Sequence, residues 1–334
     1  MDEPTASLSH GEAERLFAII ADLAASGVAV LYVSHRLDEI LRLCDRVSVF
    51  RDGASIACLE RQGLTRTALV EAIVGHRATA EAAIRRRAPA GAPVLTVSNL
   101  ARRPKVNGVS FSLHRGEVLG IGGLVGSGRS ELARAVFGVD RLLGGAVRLD
   151  GEPIVIASPR DAIARGIYLV PEDRKREGLL LDVSVAGNIS LPDLAFHSRA
   201  LMVDTASETT NAERQKRQLT IRTPKVSTAV GSLSGGNQQK VVLAKWLAMR
   251  PRVLIFDEPT RGIDVGSKNE IYQLMRALAD AGVAILMISS DMEEVIGVSD
   301  RIAVMHEGSI SGFLDRGEFS EHNVLQLAVG HSLH

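Results

Sequence analysis

The chain repeats itself. Asp2-Glu3-Pro4-Thr5 returns as Asp257-Glu258-Pro259-Thr260. The same offset lays Gly27-Val28-Ala29 on Gly282-Val283-Ala284, Asp45-Arg46 on Asp300-Arg301, Gly53 on Gly308 and Val74-Gly75-His76 on Val329-Gly330-His331. No gap is needed between residues 2 and 76, which chance does not produce, so two copies of one unit are present. The copies are unequal, because residues 94–256 have no counterpart ahead of Asp2. The expected organisation is the end of one domain over 1–76, a linker rich in Ala, Arg and Pro over 77–93, and a complete second domain over 94–331. On this reading the first copy is truncated at its N-terminal side. Its apolar strand Val28–Val33 is then left with unpaired edges, which is an aggregation hazard.

Composition narrows the function classes. Lys plus Arg and Asp plus Glu both number 39, so no net field draws the chain to nucleic acid or anionic lipid. Cys44 and Cys58 have neither metal-ligand nor redox spacing and read as small packing residues in a reducing compartment. No apolar run is long enough to span a bilayer, and Met1 is followed by acids rather than a secretory signal.

In the second copy, strands are expected at 94–97, 109–113, 118–121, 145–149, 253–256, 284–288 and 302–305. Helices are expected at about 129–137, 266–280 and 291–297, and the stretch from 183 to 250 reads as mostly helical and polar. Strands alternating with helices argue for a mainly parallel α/β sheet covered on both faces, with the helical stretch inserted as a subdomain.

Three motifs carry chemistry. Gly123-Leu-Val-Gly126-Ser127-Gly128-Arg129-Ser130 follows a strand and opens a helix, the context in which glycine-rich backbone N–H groups cradle phosphates. It fits the phosphate-loop pattern except that Arg129 stands for lysine, and a planar fork does not replace an ammonium. Ser130 is the candidate Mg²⁺ ligand on the loop. The apolar strand ending in Asp257-Glu258 supplies a carboxylate for Mg²⁺ and one to orient or deprotonate a water. Leu233-Ser234-Gly235-Gly236-Asn237-Gln238 opens an amphipathic helix, where Ser234 reads equally as an N-cap or as part of a second anion site.

Phosphate loop, LSGG and acidic strand, in that order, resemble the ABC ATPase superfamily. The segments 171–179, 233–247 and 257–268 are similar to the second half of the ATP-binding subunits of bacterial monosaccharide importers, which carry two fused nucleotide-binding domains. The resemblance implies a P-loop NTPase fold of ABC type, with a mainly parallel sheet, an antiparallel β subdomain and an inserted helical subdomain. It implies ATP and Mg²⁺ as cofactors and a permease as membrane partner. A periplasmic sugar-binding protein would act indirectly and nucleic acid would have no part. The location implied is peripheral, on the cytoplasmic face of the cell membrane.

In that family each ATP lies between the phosphate loop of one domain and the LSGG of the other. By resemblance, Asp2 (metal), Glu3 and His35 (catalytic) belong to one site, capped by the signature residues Ser234, Gly235, Gly236 and Gln238. Gly123, Gly126, Ser127, Gly128, Arg129, Ser130, Asp257 (metal) and Glu258 (catalytic) belong to the other, together with Glu172 and Ser290. Asp264 lies in the loop that crosses between sites. The second site departs from the active pattern at Arg129 for Lys, Ser290 for the switch His and Glu172 for a Gln, so it is expected to bind ATP but hydrolyse it weakly. Two other readings stay open: a soluble ABC ATPase acting on nucleic acid or ribosomes, and an inert fragment of a transporter ATPase.

Overall fold

The computed structural model describes residues 1, 4–5, 10–34, 37–51, 54–65, 68–69, 72, 91–199 and 202–332. Asp2, Glu3 and His35, and the linker expected over 77–93 up to residue 90, lie outside the described residues. The chain divides into two compact units, one comprising Met1–Ala83 with Asp264–Asn269, the other Ile84–Ile263 with Glu270–His334.

In the first unit, helices α1 (His10–Ala25) and α2 (Leu37–Leu43) precede an antiparallel pair, β1 (Arg46–Arg51) and β2 (Ala54–Glu60). A small cluster of Ile40, Val49 and Leu69 forms its core. The segment 28–33 differs from expectation. Among the described residues its strand-like bonds are to Met1 alone, the Val33 N–H donating to the Met1 carbonyl at 2.9 Å and the Leu31 carbonyl accepting from the Met1 amine at 2.8 Å. Val28, Leu31 and Val33 are 48%, 79% and 48% exposed. β propensity alone does not make a strand, since a strand exists only through its ladder partners. Cys58 is exposed rather than packed, while Cys44 lies partly buried against the small core.

The second unit is built on two sheets. An antiparallel sheet contains β3 (Pro93–Arg102), β4 (Val106–His114), β6 (Gly144–Leu149) and β7 (Glu152–Ile154), in the order β4-β3-β6-β7. The central sheet contains β5 (Val118–Gly123), β8 (Ile167–Val170), β9 (Val253–Asp257), β10 (Ala284–Ile288), β11 (Arg301–His306) and β12 (Ser309–Leu314). Its order is β12-β11-β5-β10-β9-β8, parallel throughout except for β12.

The central strands are apolar on every residue because both faces are covered. Leu254, Phe256, Ile285 and Met287 point into one core with the helices α5 (Val185–Ser190), α6 (Thr205–Gln218) and α7 (Gly235–Leu247). Their alternates Val253, Ile255, Leu286 and Ile288 face the other, with the antiparallel sheet and helix α3 (Arg129–Phe137). A short helix α4 (Pro159–Ala164) leads into β8, and α8 (Val265–Asp280), α9 (Met292–Val298) and α10 (Glu321–Ala328) complete the unit. The inserted helical subdomain, the antiparallel subdomain and the parallel sheet therefore match the α/β expectation.

Register places the chemistry. Asp257 pairs with Ile288, and Ile288 pairs with Ile121, so β9, β10 and β5 end at one level. Loops leaving the carboxyl ends of parallel strands meet in a crevice there.

Candidate functional site

The strand β5 feeds a glycine turn that opens α3. Gly128 caps that helix with φ +102°, and a Cβ placed on it would lie 2.0 Å from the Lys105 carbonyl oxygen. Only glycine tolerates both the left-handed backbone and the contact, so the loop closes against the β3–β4 turn. Ser127 is 7% exposed, and its Oγ has no hydrogen-bond partner among the described residues. A buried hydroxyl left unpaired on a phosphate-loop bend is costly unless a ligand completes it.

Arg129 does not extend over the loop. Its Nη1 donates to the carbonyls of Gly123 at 2.7 Å and Ser289 at 2.6 Å, tying the ends of β5 and β10 together. Its Nη2 lies 3.8 Å from Glu258 Oε1. Burial lowers the guanidinium's pKa, and the nearby Glu258 and Asp257 oppose that shift.

Ser130 Oγ donates to Asp257 Oδ1 at 2.9 Å. Asp257 is 4% exposed. Burial is the main cause that pushes its pKa up to about 6, with the Ser130 hydrogen bond pulling the other way. Glu258 follows with φ +49°, a backbone turn that costs a non-glycine residue energy and marks functional corners. Ser290 Oγ donates to its Oε2 at 3.0 Å. Both oxygens of Glu258 thus have a partner, Arg129 on one side and Ser290 on the other.

Glu172 stands apart from this cluster. It forms an ion pair with Arg261 beside a cavity of about 420 Å³ that Asp173, Arg174 and Lys175 also line. The signature residues open α7. Ser234 occupies the N-cap position without bonding the helix backbone, its Oγ accepting instead from Asn237 Nδ2 at 2.9 Å. Gln238 is not a surface contact: it is 4% exposed and its Nε2 donates to the Leu233 carbonyl at 3.1 Å. Asp264 is exposed, and its Oδ1 accepts from Ser267 N–H at 2.9 Å in the first turn of α8.

Two buried cations were not legible in the sequence. Arg174 is 9% exposed and its guanidinium donates to the carbonyls of Arg261 at 2.9 Å and Gly262 at 3.0 Å. A Cβ on Gly235 would meet Arg174 Nη2 at 2.6 Å, so the signature glycine is the space this fork needs. Lys245, on α7, donates to the Gly178 carbonyl at 2.5 Å, and burial lowers its pKa to about 8. Lys245 fastens the 174–178 turn to the signature helix, and Arg174 fastens it to the 261–262 loop. Arg174 sits in a run of charged residues and Lys245 on an amphipathic helix, and in neither setting do the letters separate a buried cation from a solvated one.

A family model described as ABC transporter matches residues 106–261. The ribose import ATP-binding protein RbsA of Lactococcus lactis subsp. cremoris is 47% identical over 330 residues, covering 99% of this chain and 67% of its own length. A putative ribose/galactose/methyl galactoside import ATP-binding protein of Rhizobium etli is 46% identical over 330 residues, with 63% of its own length covered. The chain thus spans about two thirds of the length of the curated relatives it matches. A nucleotide-free ATP-binding cassette from an ABC transporter superposes on 72% of this chain and all of its own, with a TM-score of 0.61 at 21% identity, a likeness of fold. With the glycine loop, the Ser130–Asp257 pair and the LSGG helix in place, the chain belongs to the ATP-binding proteins of the ABC transporter family.

Proposed function

We propose that the protein couples ATP binding and hydrolysis to import of a monosaccharide of the ribose or galactose class. It would work on the cytoplasmic face of the membrane, against permease subunits that receive sugar from a periplasmic binding protein. The names of the relatives support the substrate class. Among the described residues no helix is long and apolar enough to cross a membrane.

The glycine loop 123–128 would hold the phosphates, with the unpaired Ser127 hydroxyl and the α3 N-terminus facing them. The Ser130 hydroxyl and Asp257 carboxylate fit Mg²⁺. They are hard oxygen donors already 2.9 Å apart, and this ion takes few protein ligands beside substrate phosphates. Mg²⁺ would neutralise charge on the phosphate oxygens. Asp257, with its pKa raised to about 6, would hold the cation as the carboxylate, any proton on it being released to solvent.

One observation carries the division of labour. Glu258, the residue placed to receive a proton from water, is held by Ser290 at 3.0 Å and faces Arg129 at 3.8 Å. A water would have to compete with both neighbours for the carboxylate oxygens and for the geometry that proton transfer needs. The second site would therefore retain nucleotide and turn it over slowly. Asp2, Glu3 and His35, with the signature residues Ser234, Gly235 and Gly236, would serve the working site. In the transporter assembled with its permease, Glu3→Gln should lower ATP turnover and sugar uptake by at least about a hundredfold. Glu258→Gln should leave more than half of both. Inverse sensitivity of the two positions would overturn the assignment.

A further inference from the structure

Each copy of the repeat buries one glutamate behind its acidic strand end. Glu294, 3% exposed, accepts from Thr260 Oγ1 at 3.4 Å and closely from Ser289 Oγ, and the Tyr272 hydroxyl lies beside both Thr260 and Glu294. Glu39, 7% exposed, accepts from Thr5 Oγ1 at 2.8 Å, Ser34 Oγ at 3.1 Å and the Tyr32 hydroxyl at 2.7 Å. Thr5, Ser34 and Glu39 fall on Thr260, Ser289 and Glu294 in the repeat.

The phenol does not follow the repeat. Tyr32 falls on Met287, and Tyr272 falls on Phe17. In the second copy it comes from helix α8, and in the first from the segment ahead of Ser34. The sequences have diverged, yet both copies bring a threonine, a serine and a tyrosine hydroxyl onto one buried carboxylate. A buried carboxylate is expensive, and for stability alone an apolar cluster does as well.

The placement shows what the arrangement holds. Thr260 lies two residues after Glu258. Ser289 offers its carbonyl to Arg129 and precedes Ser290, whose hydroxyl meets Glu258. Glu294 therefore grips both margins of the gap in which Ser290 and Glu258 face each other.

We infer that Glu294 is a positioning residue that ties the segment after β10 (289–290) to the acidic turn, as Glu39 ties Ser34 to Thr5 in the first copy, with a hydroxyl of relocatable origin beside the tie. This rests on the reading of that gap as the γ-phosphate end of a nucleotide site. The tie sets how well the site distinguishes ATP from ADP, because only the γ-phosphate reaches the gap.

The test is titration calorimetry of the chain with MgATP and with MgADP. Wild type is expected to prefer ATP. Glu294→Gln should shrink that preference about tenfold and Tyr272→Phe about threefold, with ADP affinity within twofold of wild type. The relocated phenol, Tyr272→Phe combined with Met287→Tyr, should restore the preference to within twofold. Equal weakening of ATP and ADP, or a relocated phenol in a folded variant that restores nothing, would overturn the inference. If the double variant does not fold, Ser289→Ala must show the same selective loss, and an unchanged ratio there overturns the inference as well. Wild type that binds neither nucleotide would remove the ATP-site reading and the inference with it. Wild type that binds both, with variants that leave the ratio unmoved, would remove the inference alone.

Discussion

The strand-end crevice and the signature corner hold their polar groups in opposite ways. In the crevice, ionisable side chains answer one another: Ser130 bonds Asp257, Ser290 bonds Glu258, and Arg129 spans two carbonyls and an acid. At the signature, the serine and glycines open a helix, and the ionised group, Arg174, is tucked behind them on the carbonyls of Arg261 and Gly262. The first region must break its own contacts to take a ligand, so it responds to pH and to cations. The second is set by an anchor that no ligand needs to displace, and it responds to shape.

Asp257→Asn should show the largest effect. The wild-type carboxylate has a folded pKa raised to about 6, against an unfolded value of about 3.9, so between those values the folded state binds the extra proton. Its contribution to stability is full below pH 4 and is lost as pH rises through 6, a cost of up to ~3 kcal/mol by pH 7. Without nucleotide, D257N should therefore melt above wild type at pH 7 and lose that advantage by pH 4. With MgATP the order should reverse, wild type gaining and D257N not. Parallel melting curves at all pH values would erase the contrast between the two regions.

Gly235→Ala tests the other side. The added methyl meets Arg174 Nη2 at 2.6 Å and the Gly262 carbonyl oxygen at 3.0 Å, which should cost about 1–3 kcal/mol by denaturant unfolding, equally at pH 5 and pH 8. Combining it with Arg174→Ala should cost about 1 kcal/mol less than the two single changes added, since the clash is with the side chain that has been removed. Strict additivity would mean that the fork and the glycine do not share that space.

Gln238→Ala, which removes the amide donor to the Leu233 carbonyl, should cost only about 1 kcal/mol. It should leave ATP affinity of the crevice unaltered. A larger loss of affinity than of stability would return Gln238 to the contact role first expected of it.

What the letters reveal follows how local the physics is. The glycine turn, the apolar run into Asp257 and the alternation of strands with helices are written in short stretches, and the α/β fold with its inserted helices could be read from them. Arg174 could not, because its partners lie at 261 and 262 and its neighbours in sequence are equally basic. Val28–Val33 misled for the converse reason: its letters favour a strand, but among its described neighbours only Met1 bonds it in strand fashion. Gln238 reads as part of a surface motif because helix periodicity does not say which polar side chain turns inward.

The exchanged tyrosines carry a consequence for the gene rather than for the site. Duplicated stretches within one coding sequence tend to be homogenised by recombination. A conversion tract that copied position 287 onto 32 would leave Phe17 with a methionine, and one that copied position 32 onto 287 would leave Tyr272 with a second tyrosine. The first product leaves the glutamate with no phenol, and the second crowds two around it. The duplication thus carries its own barrier to being blended back into one sequence, so the two halves are free to keep drifting apart.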